Sequence, residues 1–397
     1  MKETKKFLMA AVVASGLALS ACAPTAGAGA PTGTGNAAEP VNVGIIYSKT
    51  GALAAYGETY YQGLQAGIDY ATNGTGEVNG AKINLTYADD AGDPDKAVTA
   101  AKDMIGKGYK IIGGTASSGI ALKLAEQAQQ NKVLYISGPA ATDAIQGVNK
   151  YTFRSGRQSL QDVATAGTFI DTKGKKVVVF AQDNAFGQGN VAAVKAVLGA
   201  KGATVEAVLV PENQELTPFA RQLLDAKPDM VFVAWAGATS GTMWQALNQQ
   251  GVFDAAPVVT GLGDSATFGA YGPASSKISF LNHYFPGAAG NDVEKKMIAA
   301  VGKAGGKPDL FTPDGFVAGQ LIAQAVKQGG GTDPDAMVKA LEGYSFDGPK
   351  GKETVRASDH ALIQDMYQAK LVQKGDSWAP ELIKAVPGDT VAPPEKK

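Results

Sequence analysis

KKVVVFAQD, at Lys175–Asp183, is the predicted β-strand from which the fold of this chain can be inferred. Its uninterrupted apolar centre is typical of a parallel β-strand that is covered on both faces. A helix is predicted near Gly189–Leu198, and the strands TVEAVLV (Thr204–Val210) and MVFVAW (Met230–Trp235) follow, each with a helix after it. Strands that alternate with helices at this spacing predict βαβ units and a parallel sheet.

The same alternation occurs earlier in the chain. The predicted strands there are VNVGIIY (Val41–Tyr47), KINLTYADD (Lys82–Asp90), YKIIGG (Tyr109–Gly114) and VLYIS (Val133–Ser137). Two such runs predict two doubly wound α/β domains, and the chain is longer than the ~250–300 residues at which a single core stops growing. After ISFLNHYF (Ile278–Phe285) the pattern is mostly helical. Because so few strands cannot build a third sheet, this segment is predicted to return to the first domain.

Residues 1–22 have the pattern of a secretory signal. Lys2, Lys5 and Lys6 precede an apolar stretch that starts at Phe7 and is too short to span a bilayer. The stretch ends in Leu-Ser-Ala-Cys, which resembles the lipobox of bacterial lipoproteins, and Cys22 is the only cysteine. The resemblance implies cleavage before Cys22 and a lipid on its thiol, which would tether the protein to the membrane. An ordinary signal peptide with an incidental cysteine is the alternative.

Two segments flank the predicted domains. Residues 23–40 are rich in Gly, Pro and other small residues, which predicts a flexible linker. Residues 387–397, which include VAPPEKK, are predicted to be disordered. Between these segments, no stretch of the sequence has the length of a transmembrane helix.

Composition and missing motifs argue against several classes of function. The 36 basic and 37 acidic residues give a formal net charge of −1, and no basic cluster indicates nucleic-acid binding. His283 and His360 are the only histidines, and without acidic residues at ligand spacing they predict no metal site. Beyond the signal, the sequence contains neither a G-x-S-x-G nucleophile elbow nor a G-x-x-x-x-G-K-[ST] phosphate loop. Neither an enzyme nor a bound cofactor is therefore expected.

Motifs along the whole chain resemble those of one family, the solute-binding proteins of ABC importers for branched-chain amino acids and their relatives. In chain order they are the lipobox, GIIYSKTGALAAYG, YADDAGDPDKAV, IIGGTASSG, YISGPAATD, FRSGRQ, VVFAQDNAFGQG and FVAWAGA. The resemblance implies the α/β fold of type I periplasmic binding proteins, with two Rossmann-like lobes of parallel sheets joined by three hinge crossovers. A solute would bind in the cleft between the lobes.

The resemblance also implies where the lobes begin and end. The crossovers would lie near Ser155–Leu160, His283–Gly287 and Ala361–Tyr367. Lobe 1 would then contain residues 41–157 and 287–363, and lobe 2 would contain residues 158–284 and 367–386.

The loop at residues 115–118, Thr-Ala-Ser-Ser, is the first candidate for solute binding. It lies where a strand ends and a helix starts, so helix amides and hydroxyls there offer hydrogen-bond donors to a carboxylate. The resemblance implies that Ser117 and Thr142 bind the solute carboxylate, with help from the backbone of Ala140, and Ala116 and Ser118 belong to the same candidate site. The alternative for Ser117 is a helix N-cap, a role that a ligand-binding hydroxyl can share.

Aromatic residues and one acid complete the predicted site. By resemblance, Tyr56 and Phe186 would line the cleft, and Trp235 ends a strand on the cleft side of lobe 2. The alternative for Tyr56 and Trp235 is packing within their own lobes, and Phe186, which lacks a hydroxyl, would form a wall rather than a hydrogen bond. Amino-acid binders of the family use an acidic residue after the strand that matches APVVTG, and here that position is Gly263, with Asp264 one place later. Asp264 would either pair with an ammonium or cap the turn that follows.

The predicted function is that of the solute-binding component of an ABC importer. The protein is expected to be a monomer, lipid-anchored on the outer side of the cytoplasmic membrane, and to deliver its solute to the transmembrane permease subunits. The solute would carry a carboxylate: a branched-chain or other amino acid, or a related organic acid or amide. A ligand-sensing receptor module of the same fold is the first alternative, although such modules are usually fused to a signalling domain. An extracytoplasmic hydrolase is the second.

Overall fold

The computed structural model describes residues 38–396, so the predicted signal, Cys22 and most of the predicted linker lie outside the described residues. The first sheet is built from β1 (Val41–Tyr47), β2 (Glu77–Val78), β3 (Ala81–Asp89), β4 (Ile111–Gly114), β5 (Leu134–Ser137) and β6 (Thr152–Arg154). Its strand order is β2-β3-β1-β4-β5-β6, and all pairs except β2–β3 are parallel. The connecting helices are α1 (Ala54–Ala71), α2 (Pro94–Gly106) and α3 (Ser118–Asn131).

The second run of strands forms a separate sheet. Its parallel strands are β7 (Lys176–Gln182), β8 (Thr204–Val210), β9 (Met230–Ala234), β10 (Val258–Gly261) and β11 (Ile278–Asn282). The helices of this run are α4 (Ser159–Ala166), α5 (Ala185–Val197), α6 (Leu216–Asp225), α7 (Ser240–Gln249), α8 (Val252–Ala255) and α9 (Phe268–Tyr271). The central strands β7 and β9 are almost fully buried, as continuous apolar runs under helices on both faces require.

The following segment packs on the first lobe. It contains α10 (Asp292–Lys303), α11 (Thr312–Gly329), α12 (Pro334–Leu341), β12 (Ser345–Gly348), β13 (Gly351–Val355) and β14 (Leu362–Ile363). Helix α11 lies along α1. The two backbones approach so closely that a Cβ at Gly67 would overlap the backbone of Phe316, and one at Gly315 would overlap Tyr60. Glycine at these positions is what allows the segment to return to the first lobe.

Two antiparallel strands then complete the second sheet. They are β15 (Met366–Lys374) and β16 (Ser377–Val386), and the sheet order is β16-β15-β11-β10-β9-β7-β8. Between residues 38 and 396 the chain therefore passes from one lobe to the other three times, after β6, after β11 and after β14. Strand β16 has no counterpart in the sequence prediction, because Pro380 and the charged residues Glu381 and Lys384 interrupt its apolar pattern. Such residues are tolerated at a sheet edge, where β16 lies.

The carboxyl-terminal segment corrects the prediction that residues 387–397 are disordered. A 3₁₀ turn at Gly388–Val391 buries Val391 against Met366 and Val386. Beyond it, the Pro393 carbonyl accepts a hydrogen bond from half-buried Arg356 and the Pro394 carbonyl accepts one from buried Gln146, both in the first lobe. Proline has no amide proton to satisfy, so an extended Pro-rich segment can be held through its carbonyl groups alone.

Candidate functional site: a cavity between the lobes

Loops from the carboxyl ends of both sheets surround a cavity of about 450 Å³. Lobe 1 contributes the loops after β1, β4 and β5, and lobe 2 contributes those after β7, β9 and β10. Arg157 and His283 line the cavity from two of the chain crossovers. Open α/β sheets bind ligands at this edge of their strands, and the volume suits a small organic molecule.

On the lobe 1 side, buried Asp90 fixes the loop that precedes α3. Its carboxylate accepts hydrogen bonds from the hydroxyls of Ser48, at 3.3 Å, and Thr115, at 2.8 Å. Thr115 has a φ of 66°, which a β-branched residue rarely adopts, and its hydroxyl also accepts a bond from the Ser117 amide at 3.2 Å. The loop is therefore held in one conformation by groups outside the cavity.

The first turn of α3 presents free donors to the cavity. Ser117 is the N-cap, with its hydroxyl 3.5 Å from the Ile120 amide. The amides of Ser118 and Gly119 donate to no residue in the described part of the chain. The Ser118 hydroxyl also has no hydrogen-bond partner there, although the residue is only 3% exposed. Unpaired first-turn amides at the positive end of a helix dipole form an anion-binding site.

A buried charge pair lies on the hinge side of the cavity. Arg157 Nη1 donates to the Pro139 carbonyl at 2.8 Å, and Nε lies 3.3 Å from a carboxylate oxygen of Asp162. The two side chains are 10% and 9% exposed. Burial raises the pKa of Asp162, and the positive charge of Arg157 opposes that shift. The guanidinium also lies over the ring of Phe311, 5.4 Å from its centroid.

Asn282 and His283, at the end of β11, add neutral polar groups beside this pair. The Oδ1 atom of Asn282 and the Nε2 atom of His283 have no hydrogen-bond partner among residues 38–396, and both residues are at most 4% exposed. Burial, followed by the positive charges of Arg157 and Lys350, lowers the pKa of His283 well below its usual value. The ring is therefore neutral near pH 7, and its 3.8 Å approach to Asp314 is not an ion pair.

Aromatic rings form much of the cavity wall. Tyr56 and Phe311 meet edge to face with their centroids 4.7 Å apart. Trp235 stacks on Phe180 at 5.7 Å, and its indole nitrogen donates to the Thr239 hydroxyl at 2.9 Å. Phe186 lies in the first turn of α5, which begins earlier than predicted because the Asn184 side chain caps it.

Three contacts join the lobes around the cavity. The Ala238 amide donates to the Ala52 carbonyl at 2.9 Å. The Gly237 amide donates to the hydroxyl of Tyr56 at 3.1 Å. Further along, the Ser265 hydroxyl donates to Asp309 at 2.6 Å. Burial raises the pKa of Tyr56 to about 12, so its hydroxyl keeps a proton that it can donate in turn. The structure is therefore a closed form.

The structure brings most of the predicted site residues together. Those that line the cavity are Tyr56, Ala116, Ser117, Ser118, Phe186 and Trp235. Ala140 and Thr142 do not line it, although Pro139 and Ala141 do. Thr142 is buried, and its hydroxyl accepts a bond from the Ala144 amide at 3.2 Å. Asp264 is also absent from the lining, because its carboxylate accepts bonds from the amide and hydroxyl of Thr267 at 3.2 and 2.7 Å.

Sequence reasoning missed the hinge-side part of the site. Arg157, Asp162, Asn282 and Phe311 were not predicted, and His283 was considered only as a metal ligand or hinge residue. The predicted crossovers at Ser155–Leu160 and His283–Gly287 contain two of these residues and could have pointed to them. Phe311 had no such signal, since it lies in a loop without periodic pattern.

The structure also locates the groups that the sequence analysis considered for other activities. Between residues 38 and 396, no group of three or more potential ligands could hold a metal ion. His360 is buried, stacks on Phe153 and forms a hydrogen bond with the Thr152 carbonyl at 2.9 Å. Neither of these contacts involves a nucleophilic side chain. None of the helices in this part of the chain is both long and apolar enough to cross a membrane.

Comparison with known proteins identifies the family. A sequence model described as "Periplasmic binding protein" matches residues 40–376. The chain belongs to this family. Proteins of this family bind solutes outside the cytoplasm, and the predicted two-lobed α/β fold is confirmed for this periplasmic binding protein.

Individual relatives agree with that assignment. Leu/Ile/Val-binding protein homolog 3 of Brucella melitensis biotype 1 is 28% identical over 76% of this chain and 83% of its own length. BraC3, a Leu/Ile/Val-binding protein of Rhizobium johnstonii, is 27% identical over 76% of this chain and 83% of its own.

Two solved structures from Rhodopseudomonas palustris share the fold. An ABC-type branched-chain amino acid transporter protein is 31% identical, with a TM-score of 0.75 over 90% of this periplasmic binding protein and 100% of its own chain. An ABC-transporter solute-binding protein in complex with 3,4-dihydroxybenzoic acid is 25% identical, with a TM-score of 0.75 over 88% and 98%.

Proposed function

We propose that this periplasmic binding protein captures a small carboxylate-bearing solute for an ABC importer and presents its closed form to the permease. The observation that carries the proposal is the cavity between the lobes, at which the Ser118 and Gly119 amides in the first turn of α3 remain unpaired. The relatives described above, which include Leu/Ile/Val-binding proteins and ABC-transporter components, support the import role.

Capture depends on closure of the lobes. The hydrogen bonds between Ala52 and Ala238 and between Tyr56 and Gly237 exist only when the lobes meet. A solute that contacts both walls adds free energy to the closed form alone, so its binding shifts the population from open to closed. The permease would then recognise the surface that only the closed form presents.

The test combines a thermal-shift screen with scattering. The protein without its predicted signal is screened, as a monomer, against amino acids, aromatic acids, aliphatic acids and amides. A bound solute raises the melting temperature by mass action. X-ray scattering with the best solute should show a smaller radius of gyration than without it. Unchanged melting and scattering across the whole panel would overturn the proposal, and conversion of a solute into product would assign the site to an enzyme.

The lipid tether is a separate part of the proposal. It is supported by the Leu-Ser-Ala-Cys sequence that ends at Cys22. Cys22→Ser removes the thiol that would carry the lipid, so the protein should move from the membrane fraction to the soluble fraction. Ser20→Ala, which keeps the thiol, is the control. Continued membrane retention of Cys22→Ser would refute a lipid tether at this residue.

A further inference from the structure

The residues that line the cavity provide more binding partners for a negatively charged group than for a positively charged one. On the anion side, the free amides of Ser118 and Gly119 and the unpaired Ser118 hydroxyl can surround a carboxylate. The α3 helix is 14 residues long, and its dipole adds partial positive charge at this end. The guanidinium of Arg157 also lines the cavity, with its Nη1 hydrogen-bonded to the Pro139 carbonyl and its Nε 3.3 Å from the Asp162 carboxylate.

No free carboxylate awaits a cation, and the unpaired acceptors of the lining, Asn282 Oδ1 and His283 Nε2, are neutral. Among the described residues that line the cavity, the only carboxylates are those of Asp162 and Glu212. Asp162 is already paired with Arg157, and Glu212 is exposed to water. Asp264 is directed to Thr267 and lies outside the lining. An ammonium enclosed here would lose its water without gaining a free counterion, which is strongly unfavourable.

We infer that the solute is a carboxylate that carries no ammonium group. The inference rests on the proposed function and narrows its solute from amino acids and related acids to amine-free acids. The walls add a second requirement, because Tyr56, Phe186, Trp235 and Phe311 favour an apolar or aromatic body over a polar chain. An amino acid should therefore bind at least tenfold more weakly than the same molecule without its α-amino group, a difference of about 1.4 kcal/mol.

Matched pairs of solutes test the inference on the wild-type protein. Calorimetric titrations at pH 7.5 compare 4-methylpentanoate with leucine, 3-phenylpropanoate with phenylalanine, 3-(4-hydroxyphenyl)propanoate with tyrosine, and succinate with aspartate. We expect the acid to bind at least tenfold tighter in every pair that binds. If an amino acid binds as tightly as its acid, the inference is wrong and the proposed function stands. If no member of any pair and no acid of the wider screen binds, both are wrong.

A charge added to the cavity should reverse the preference. Gly261 lines the cavity at the end of β10, and a Cβ there would meet only Leu281 Cδ1, at 3.9 Å. Gly261→Asp supplies the missing counterion, so the ratio of amino-acid to acid affinity should rise at least tenfold. Gly261→Asn is the control of nearly equal size and should leave the ratio unchanged. An equal ratio in Gly261→Asp, Gly261→Asn and wild type would mean that charge at the cavity does not select the solute.

The proposed contact between the solute carboxylate and the first turn of α3 can be tested separately. Ser118→Ala removes one donor while the amides remain, so we expect the affinity for the best-bound acid to fall about threefold to tenfold. Ser276→Ala, which changes an exposed serine in a 3₁₀ turn of lobe 2, should leave that affinity unchanged. Equal affinities in the two variants would move the carboxylate away from α3.

Discussion

The two sides of the cleft use their polar groups differently. In lobe 1, the loop before α3 is held from behind by Asp90, which leaves the amides of Ser118 and Gly119 unpaired toward the cavity. In lobe 2, Trp235 binds to Thr239 within the lobe, the Gly237 and Ala238 amides bind across the cleft, and the unpaired Oδ1 of Asn282 is a neutral acceptor. Lobe 1 is therefore equipped to hold a charged group, and lobe 2 supplies walls and closing contacts.

This difference bears on solute selection. A protein that binds amino acids needs a site for a carboxylate and a site for an ammonium. Here the unpaired amides at α3 could hold the carboxylate, whereas Asp264, which the family resemblance suggested for the ammonium, stabilises its own turn. Lobe 1 can thus bind the carboxylate of the solute, while the groups of lobe 2 determine which solutes the cavity accepts.

Gly237→Ala should have the largest effect, because it would block the lobe 2 side from closing. Gly237 has a φ of 82°, and a Cβ there would lie 2.5 Å from the Ala52 carbonyl oxygen of lobe 1. We expect solute affinity to fall roughly 10- to 100-fold in calorimetry. Gly251→Ala has the same backbone strain, with a φ of 77°, but no atom within 4 Å, so it should bind normally. Equal losses in both variants would attribute the effect to strain rather than to closure.

Tyr56→Phe should weaken binding less, by about twofold to tenfold, the usual range for one hydrogen bond. The change removes the hydroxyl that accepts the Gly237 amide across the cleft. Tyr61→Phe is the matched control on the same helix, since its hydroxyl accepts only the Gln65 side chain, at 2.8 Å. Calorimetric affinities that fall equally in both variants would show that Tyr56 has no special role in closure.

Asp314→Asn tests the protonation state of the buried Asp314 carboxyl group, which lies beside His283. Burial raises the pKa of Asp314 from 3.8 to about 7. The folded protein therefore holds an extra proton between about pH 4 and pH 7, and this residue lowers stability progressively as the pH rises through that window. We expect Asp314→Asn to melt a few degrees higher than wild type at pH 8, and to gain less at pH 5. A difference in melting temperature that does not depend on pH would contradict the assigned protonation.

Asp264→Ala should have the smallest effect on binding. Its carboxylate caps a short turn, so the variant should lose about 1 kcal/mol of stability or less, while calorimetry gives an affinity for acids within twofold of wild type. A tenfold loss of affinity would contradict this difference between the lobes, since it would indicate that Asp264 binds the solute.

Local patterns predicted the features that depend on neighbours in sequence. The strand-helix alternation gave the two lobes, and the loop at residues 115–118 gave the α3 end of the site. Contacts between distant segments were not predictable in this way. Arg157 joins the site through Asp162 and Phe311, which come from different elements, and Pro380 hid an edge strand that only its pairing with β15 defines. The sequence left two roles open for Asp264, and the structure shows that its side chain caps the turn that follows.

A crystal structure with the best-bound acid would locate the solute carboxylate. We expect closed lobes, with a carboxylate oxygen about 3 Å from the amide nitrogens of Ser118 and Gly119. A carboxylate seated on the strand ends of lobe 2, away from the first turn of α3, would contradict this expectation.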